Sequence, residues 1–171
     1  MKPAESANGQ RRTLLATSLV GGAALLPGAA RAAASCAVPF NRAAYERYVG
    51  LMNAGDPRFV EFYAEDIRFE MNIRGRSKVL DFYRQQWPYV KERLEVSFFC
   101  SDANGAAAQV RSELRCIRDN NDTTTFGRAL KAGEVQRVRG CVLYTLNAQG
   151  LITEIKGPPP EVLQPWRLEA A

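Results

Sequence analysis

Within residues 47–73, RYVGLMNAGDPRFVEFYAEDIRFEMNI, the spacing of apolar side chains switches from a helical period to a period of two. Tyr45, Tyr48, Val49 and Met52 fall at i, i+3, i+4 and i+7 and form one apolar stripe. Asn41 is placed to cap a helix over residues 42–53, and Gly55 can take the left-handed conformation that ends it. Asp56 caps a second short helix with Pro57 at its first position, where a missing N–H is harmless. Residues 67–73 then alternate strictly. Ile67, Phe69, Met71 and Ile73 face one way, and Arg68, Glu70 and Asn72 the other, as in a strand with one buried face.

The rest of the chain extends this pattern. Arg74-Gly75-Arg76 turns, Ser77 can cap a third helix through Gln86, and Pro88 stops it. A strand over 94–100 places Leu94, Val96, Phe98 and Cys100 on one face, and Asp102-Ala103-Asn104-Gly105 signals a hairpin. The next strand alternates Ala108, Val110, Ser112, Leu114 and Cys116 with polar residues. Residues 118–124 are polar and read as a loop. Residues 134–146 form another strand, with a bulge expected near Arg137–Arg139 because Val135 and Val138 fall on opposite faces. A last strand covers 151–156, and Pro158-Pro159-Pro160 ends the sheet. Helices early and strands late predict an α+β fold: a cone-shaped, curved antiparallel sheet covered by about three N-terminal helices, with an apolar interior.

The first 34 residues read differently. Lys2, Arg11 and Arg12 give a basic start, residues 13–26 carry no charge, and Ala29-Ala30-Arg31-Ala32-Ala33-Ala34 follows Pro27-Gly28. This is the layout of an export signal, and Arg11-Arg12 followed by Thr13-Leu14-Leu15 resembles a bacterial twin-arginine signal. The expectation is cleavage near residue 34, a single domain over 35–171, a periplasmic or secreted location, and no stable membrane anchor after cleavage. The signal holds four of the 23 basic and one of the 18 acidic residues, leaving 19 and 17, a net charge of +2. So small a surplus, spread through mixed-sign strands, argues against nucleic acid as a partner.

The chain contains no histidine, and its four cysteines, Cys36, Cys100, Cys116 and Cys141, form no C-x-x-C pair. Ser-His and Cys-His nucleophiles are excluded, and no metal or other cofactor is expected. An exported protein can keep disulfides, and four cysteines allow three full pairings.

The order of elements, with Tyr-Val-x-x-x-Asn-Ala-Gly-Asp at residues 48–56 and Phe-Tyr-Ala-Glu-Asp at 62–66 before a strand, resembles the nuclear transport factor 2-like superfamily, closest to its SnoaL-like and ketosteroid-isomerase-like members. The resemblance covers about residues 40–158. It implies isomerase, dehydratase, epoxide hydrolase, cyclase or non-catalytic binding roles. It also implies that Tyr48 matches a tyrosine that helps hold an oxyanion. At the positions of the family's general-base aspartate and second, protonated aspartic acid stand Met71 and Val142, so efficient ketosteroid isomerisation is not expected. The carboxyl tuning on which that enzyme class depends requires an acid where this chain has none.

Tyr48 is thus the candidate catalytic donor, with a core tyrosine as its other reading. Met52, Phe69, Met71, Ser112, Val142 and Tyr144 are the candidate lining of a pocket for a hydrophobic small molecule. Glu70 is expected on the outer face, and Asp66 at a turn. Trp87 and Tyr89 fit a pocket rim or the surface of a possible homodimer. The Arg111/Arg115 and Arg137/Arg139 pairs fit an outer face paired with Glu113 and Glu134. Two functions follow: a SnoaL-like enzyme using general acid–base chemistry, possible classes being isomerase, dehydratase or cyclase, and a non-catalytic carrier of an apolar ligand. An ionisable group with a raised pKa inside the cone would distinguish the first from the second.

Overall fold

The computed structural model describes residues 40–70 and 72–169. The expected export signal, Cys36 and Met71 lie outside them.

Helix α1 (Arg42–Ala54) forms where the apolar stripe requires. The Asn41 side chain accepts from the Ala44 amide at 3.0 Å, and Gly55, at φ 64°, closes the other end through its N–H to Met52. Its buried face is Tyr45, Tyr48, Val49 and Met52. The second helix is a six-residue 3-10 helix, Pro57–Phe62, capped by Asp56. Helix α2 (Arg76–Gln86) starts at Gly75, not at Ser77: the N-cap position has φ 92°, which favours glycine, and makes no side-chain cap bond. Among the described residues the cone therefore carries two α-helices and one 3-10 helix.

Seven strands follow: β1 (Tyr63–Phe69), β2 (Ile73–Arg74), β3 (Val90–Ser101), β4 (Gly105–Cys116), β5 (Glu134–Leu146), β6 (Ile152–Lys156) and β7 (Glu161–Leu168). The order across the sheet is β2-β1-β6-β5-β4-β3, with β7 also on β5. The curved, unclosed sheet is mixed and not purely antiparallel, because β1 runs parallel to β6. Parallel neighbours need a long crossover, and here nearly the whole domain lies between them.

Three strands differ from their sequence expectation. The alternation through residues 67–73 is broken: β1 ends at Phe69, Asn72 takes φ 60°, and β2 folds back so that Phe69 opposes Ile73. Strand β3 begins four residues earlier than expected and carries one extra residue, since Val96 pairs with Val110 but Phe98 with Gln109. This bulge at Ser97 turns Phe99 inward, where it stacks on Tyr45 at 4.5 Å, and leaves Phe98 54% exposed. Pro158-Pro159-Pro160 does not end the sheet. Strands β6 and β7 run in the same direction along one edge of β5, with pairing up to Leu143↔Lys156 in β6 and from Arg139↔Glu161 in β7. The expected irregularity near Arg137 takes the form of two register shifts against β7, around Pro165 and Leu163, while β5 keeps unbroken register with β4.

The main core joins α1 to the concave side of the sheet. Phe59, Tyr63, Ile67, Val79 and Ile152 are fully buried. Each such side chain contributes about 1.5–3 kcal/mol relative to exposure. The Asn53 amide fixes how α1 lies on the sheet: it donates to the Leu94 carbonyl at 3.0 Å and accepts from the Leu94 N–H at 2.7 Å. A second cluster, Val90, Cys116 and Leu130 with Phe126 and Trp166, packs beneath the 117–133 connection. Trp87 packs against Phe59 and Tyr83, Tyr89 packs against the second cluster, and both remain partly exposed.

Candidate functional site

Between α1, α2 and the concave face lies a cavity of about 230 Å³. Helix α1 contributes Tyr45, Tyr48 and Met52, and α2 contributes Tyr83. Strand β3 presents Glu92 and Leu94, and β4 presents Val110, Ser112 and Leu114. Val142 and Tyr144 of β5 and Phe69 of β1 complete much of the wall. Pro158 and Pro160, from the segment between β6 and β7, close one side.

The polar groups inside are few and connected. The Ser112 hydroxyl donates to Glu92 Oε1 at 2.7 Å. No other hydrogen bond or ion pair among the described residues holds the Glu92 carboxyl, so Oε2 is left for the cavity. Glu92 is half-buried: its carboxyl sits among protein atoms yet keeps a face on the open space. Burial pushes its pKa above the ordinary carboxylate range, and the Ser112 bond only partly opposes this. Glu70, at the cavity rim, is also raised by partial burial.

Two phenol pairs adjoin the same cavity. Tyr48 and Tyr63 join hydroxyls at 2.8 Å, and Tyr45 and Tyr144 at 3.1 Å. Tyr63 is fully buried behind the wall, whereas Tyr48 reaches the cavity. A proton from Tyr63 to the Tyr48 oxygen leaves the Tyr48 O–H free to donate inward. Burial holds Tyr48, Tyr63, Tyr83 and Tyr144 well above the ordinary phenol pKa, so they stay protonated donors near neutrality.

Of the residues picked out by sequence, Tyr48, Met52, Phe69, Ser112, Val142 and Tyr144 all line this one cavity. Glu70, expected on the outer face, is exposed but also borders the cavity rim, because β1 ends one residue before it and the period of two no longer applies. Glu92, Tyr45 and Tyr83 were missed as cavity residues. Continuing the alternation of Leu94 and Val96 back two positions would have put Glu92 on the inner face.

The outer-face pairing is also different in part. Glu113 does pair with Arg115 and Arg137, but Glu134 pairs with Arg128, and Arg137 and Arg139 reach Glu169 and Glu161. Among the described residues Cys100, Cys116 and Cys141 form no disulfide with one another. Among the described residues no group of three or more cysteine or carboxylate side chains is placed to hold a metal ion.

The model of the SnoaL-like domain matches residues 45–155. No curated protein matches the chain. Among solved structures, a putative polyketide cyclase from Pseudomonas putida KT2440 superposes with a TM-score of 0.56 at 18% identity, covering 67% of this chain and 86% of that one. The Δ5-3-ketosteroid isomerase from Mycobacterium sp. gives 0.51 at 21%, covering 68% and 89%. An LEH-like epoxide hydrolase from M. tuberculosis gives 0.54 at 14%, covering 67% and 78%. At such identities the likeness concerns the fold and not the reaction.

Proposed function

The chain belongs to the SnoaL-like domain family, and on that premise we propose that its cavity is a general acid–base active site for a small, largely apolar molecule. Glu92 is the observation that carries the reading. A carrier of apolar ligands gains nothing from a carboxyl desolvated beside its ligand, whereas a proton-transfer catalyst requires one whose pKa lies closer to the working pH. Ser112 fixes one carboxyl oxygen and leaves the other for the substrate proton. Tyr48, backed by Tyr63, supplies a hydrogen bond to an oxygen that gains charge as the proton leaves. Met52, Phe69 and Val142 hold the apolar body and keep water out. The proton taken by Glu92 returns to another atom of the substrate, which describes an isomerisation, or leaves with a hydroxyl group, which describes a dehydration.

The probe is tetralone, a compact ketone. Exchange of its α-hydrogens in D₂O, followed by NMR, should be faster with the wild-type protein than with Glu92→Gln by about 10²–10⁴-fold. Tyr48→Phe should slow it by about 10²–10³-fold. Wild-type exchange no faster than that of Glu92→Gln would overturn the assignment.

Export belongs to the same proposal, on the strength of the basic start, the short uncharged run and the alanine-rich end at residues 29–34. Mass spectrometry of protein from an export-competent bacterial host should find a mature N-terminus near residue 35. Full-length chain confined to the cytoplasm would refute it.

A further inference from the structure

Eleven glutamates lie among the described residues, and nine of them have an arginine or lysine nitrogen within 4.0 Å. Arginine is plentiful on this surface and reaches most of the glutamates, though of the six described aspartates only Asp56 and Asp119 have such a partner. The two exceptions are Glu70 and Glu92, and both line the cavity. Among the described residues no lysine or arginine lines it with them. For Glu92, desolvated at the cavity wall, a carboxylate without a counter-ion is unfavourable, and the described residues supply no such ion.

The remaining wall is aromatic. Tyr45, Tyr48, Tyr83 and Tyr144 face the same space. The negative faces of such rings attract cations, most strongly where water is excluded. A carboxylate and an aromatic wall favour the same sign of charge.

We infer that the cavity selects a cationic ligand, a protonated amine or quaternary ammonium on a compact apolar frame, with Glu92 as its counter-ion inside and Glu70 at the rim. This rests on reading the cavity as the ligand site and names the class of ligand it takes. The charge also suits the proposed chemistry: a bound cation keeps Glu92 in its carboxylate form, the form a base needs.

The test uses three probes that share one frame, naphthylmethylamine, naphthylmethanol and naphthoate, titrated against the full chain near pH 7 by calorimetry. The amine should bind at least about tenfold tighter than the alcohol, and naphthoate weakest of the three. The amine-to-alcohol ratio should fall toward one in Glu92→Gln, and part of the way in Glu70→Gln. Because the ratio is taken within each variant, a general loss of cavity shape cancels. An alcohol bound as tightly as the amine would overturn the charge preference while leaving the ligand site in place. A preference unchanged in Glu92→Gln would overturn the counter-ion role. Failure of all three probes to bind would overturn both the preference and the ligand site.

Discussion

The phenol pair behind the cavity makes an asymmetric prediction. Tyr48 and Tyr63 share one hydrogen bond at 2.8 Å, but their surroundings differ. The Tyr63 residue is 0% exposed, and its hydroxyl has no second protein partner among the described residues, whereas Tyr48 borders the cavity and can turn to water. Tyr63→Phe removes the bond and leaves Tyr48 with solvent, at about 0.5–1.5 kcal/mol. Tyr48→Phe strands the Tyr63 hydroxyl in the core, and an unsatisfied buried hydroxyl costs about 1–3 kcal/mol. In the double variant no donor is stranded, so its loss should be well below the sum of the two. Urea unfolding of the four proteins closes the cycle, with a coupling energy of about 0.5–3 kcal/mol expected. Equal losses for the two single variants, or a double variant equal to their sum, would refute the reasoning and place the Tyr63 hydroxyl in contact with something else.

Three further outcomes are expected. Because the folded pKa of Glu92 is raised above the unfolded value near 4.5, its ionised form opposes folding above that folded pKa, and the penalty vanishes as pH falls below 4.5. Glu92→Gln should therefore raise the unfolding midpoint at pH 8 and do so progressively less toward pH 4; a lower midpoint at pH 8, or a gain independent of pH, would contradict this. A Cβ at Gly157 would collide with the carbonyl oxygen of Cys141, so Gly157→Ala should destabilise by about 1–3 kcal/mol in denaturant titration, and an unchanged midpoint would show that the segment yields freely. Asn53→Ala removes both bonds between α1 and Leu94, with an expected loss of about 1–3 kcal/mol; a loss below about 0.5 kcal/mol by the same titration would show that water replaces them.

The parts of the fold legible in sequence are those set by neighbours along the chain. Asn41 and Gly55 bound α1 because capping acts over a single turn. The Asp102 side chain accepts from the amides of Asn104 and Gly105, so the hairpin was also readable locally. The parallel pairing of β1 with β6 was not, since nothing near either strand encodes a partner so far away. The bulge at Ser97 was hidden for a related reason. Phe98 and Phe99 are both apolar, and only pairing with β4 decides which one turns inward. Half of the cavity was legible because Ser112, Val142 and Tyr144 alternate cleanly. Glu92 was not, because the strand was begun at Leu94, beyond the alternation that would have included it.

Strands β6 and β7 form one long edge along β5, interrupted by residues 157–160. Opposite this interruption only Gly140, Cys141 and Val142 of β5 separate the two paired stretches, so the outer path holds one residue more than the inner. Three of the four residues on the outer path are prolines, and proline has no N–H with which to close the ladder. The wall at Pro158 and Pro160 is therefore shaped by main-chain geometry, while the wall supplied by α1 and α2 is shaped by interchangeable side chains such as Met52. Divergent evolution could resize the cavity from the helix side one residue at a time. From the proline side it would need a change of chain length, which makes that wall the slower of the two to adapt to a new molecule.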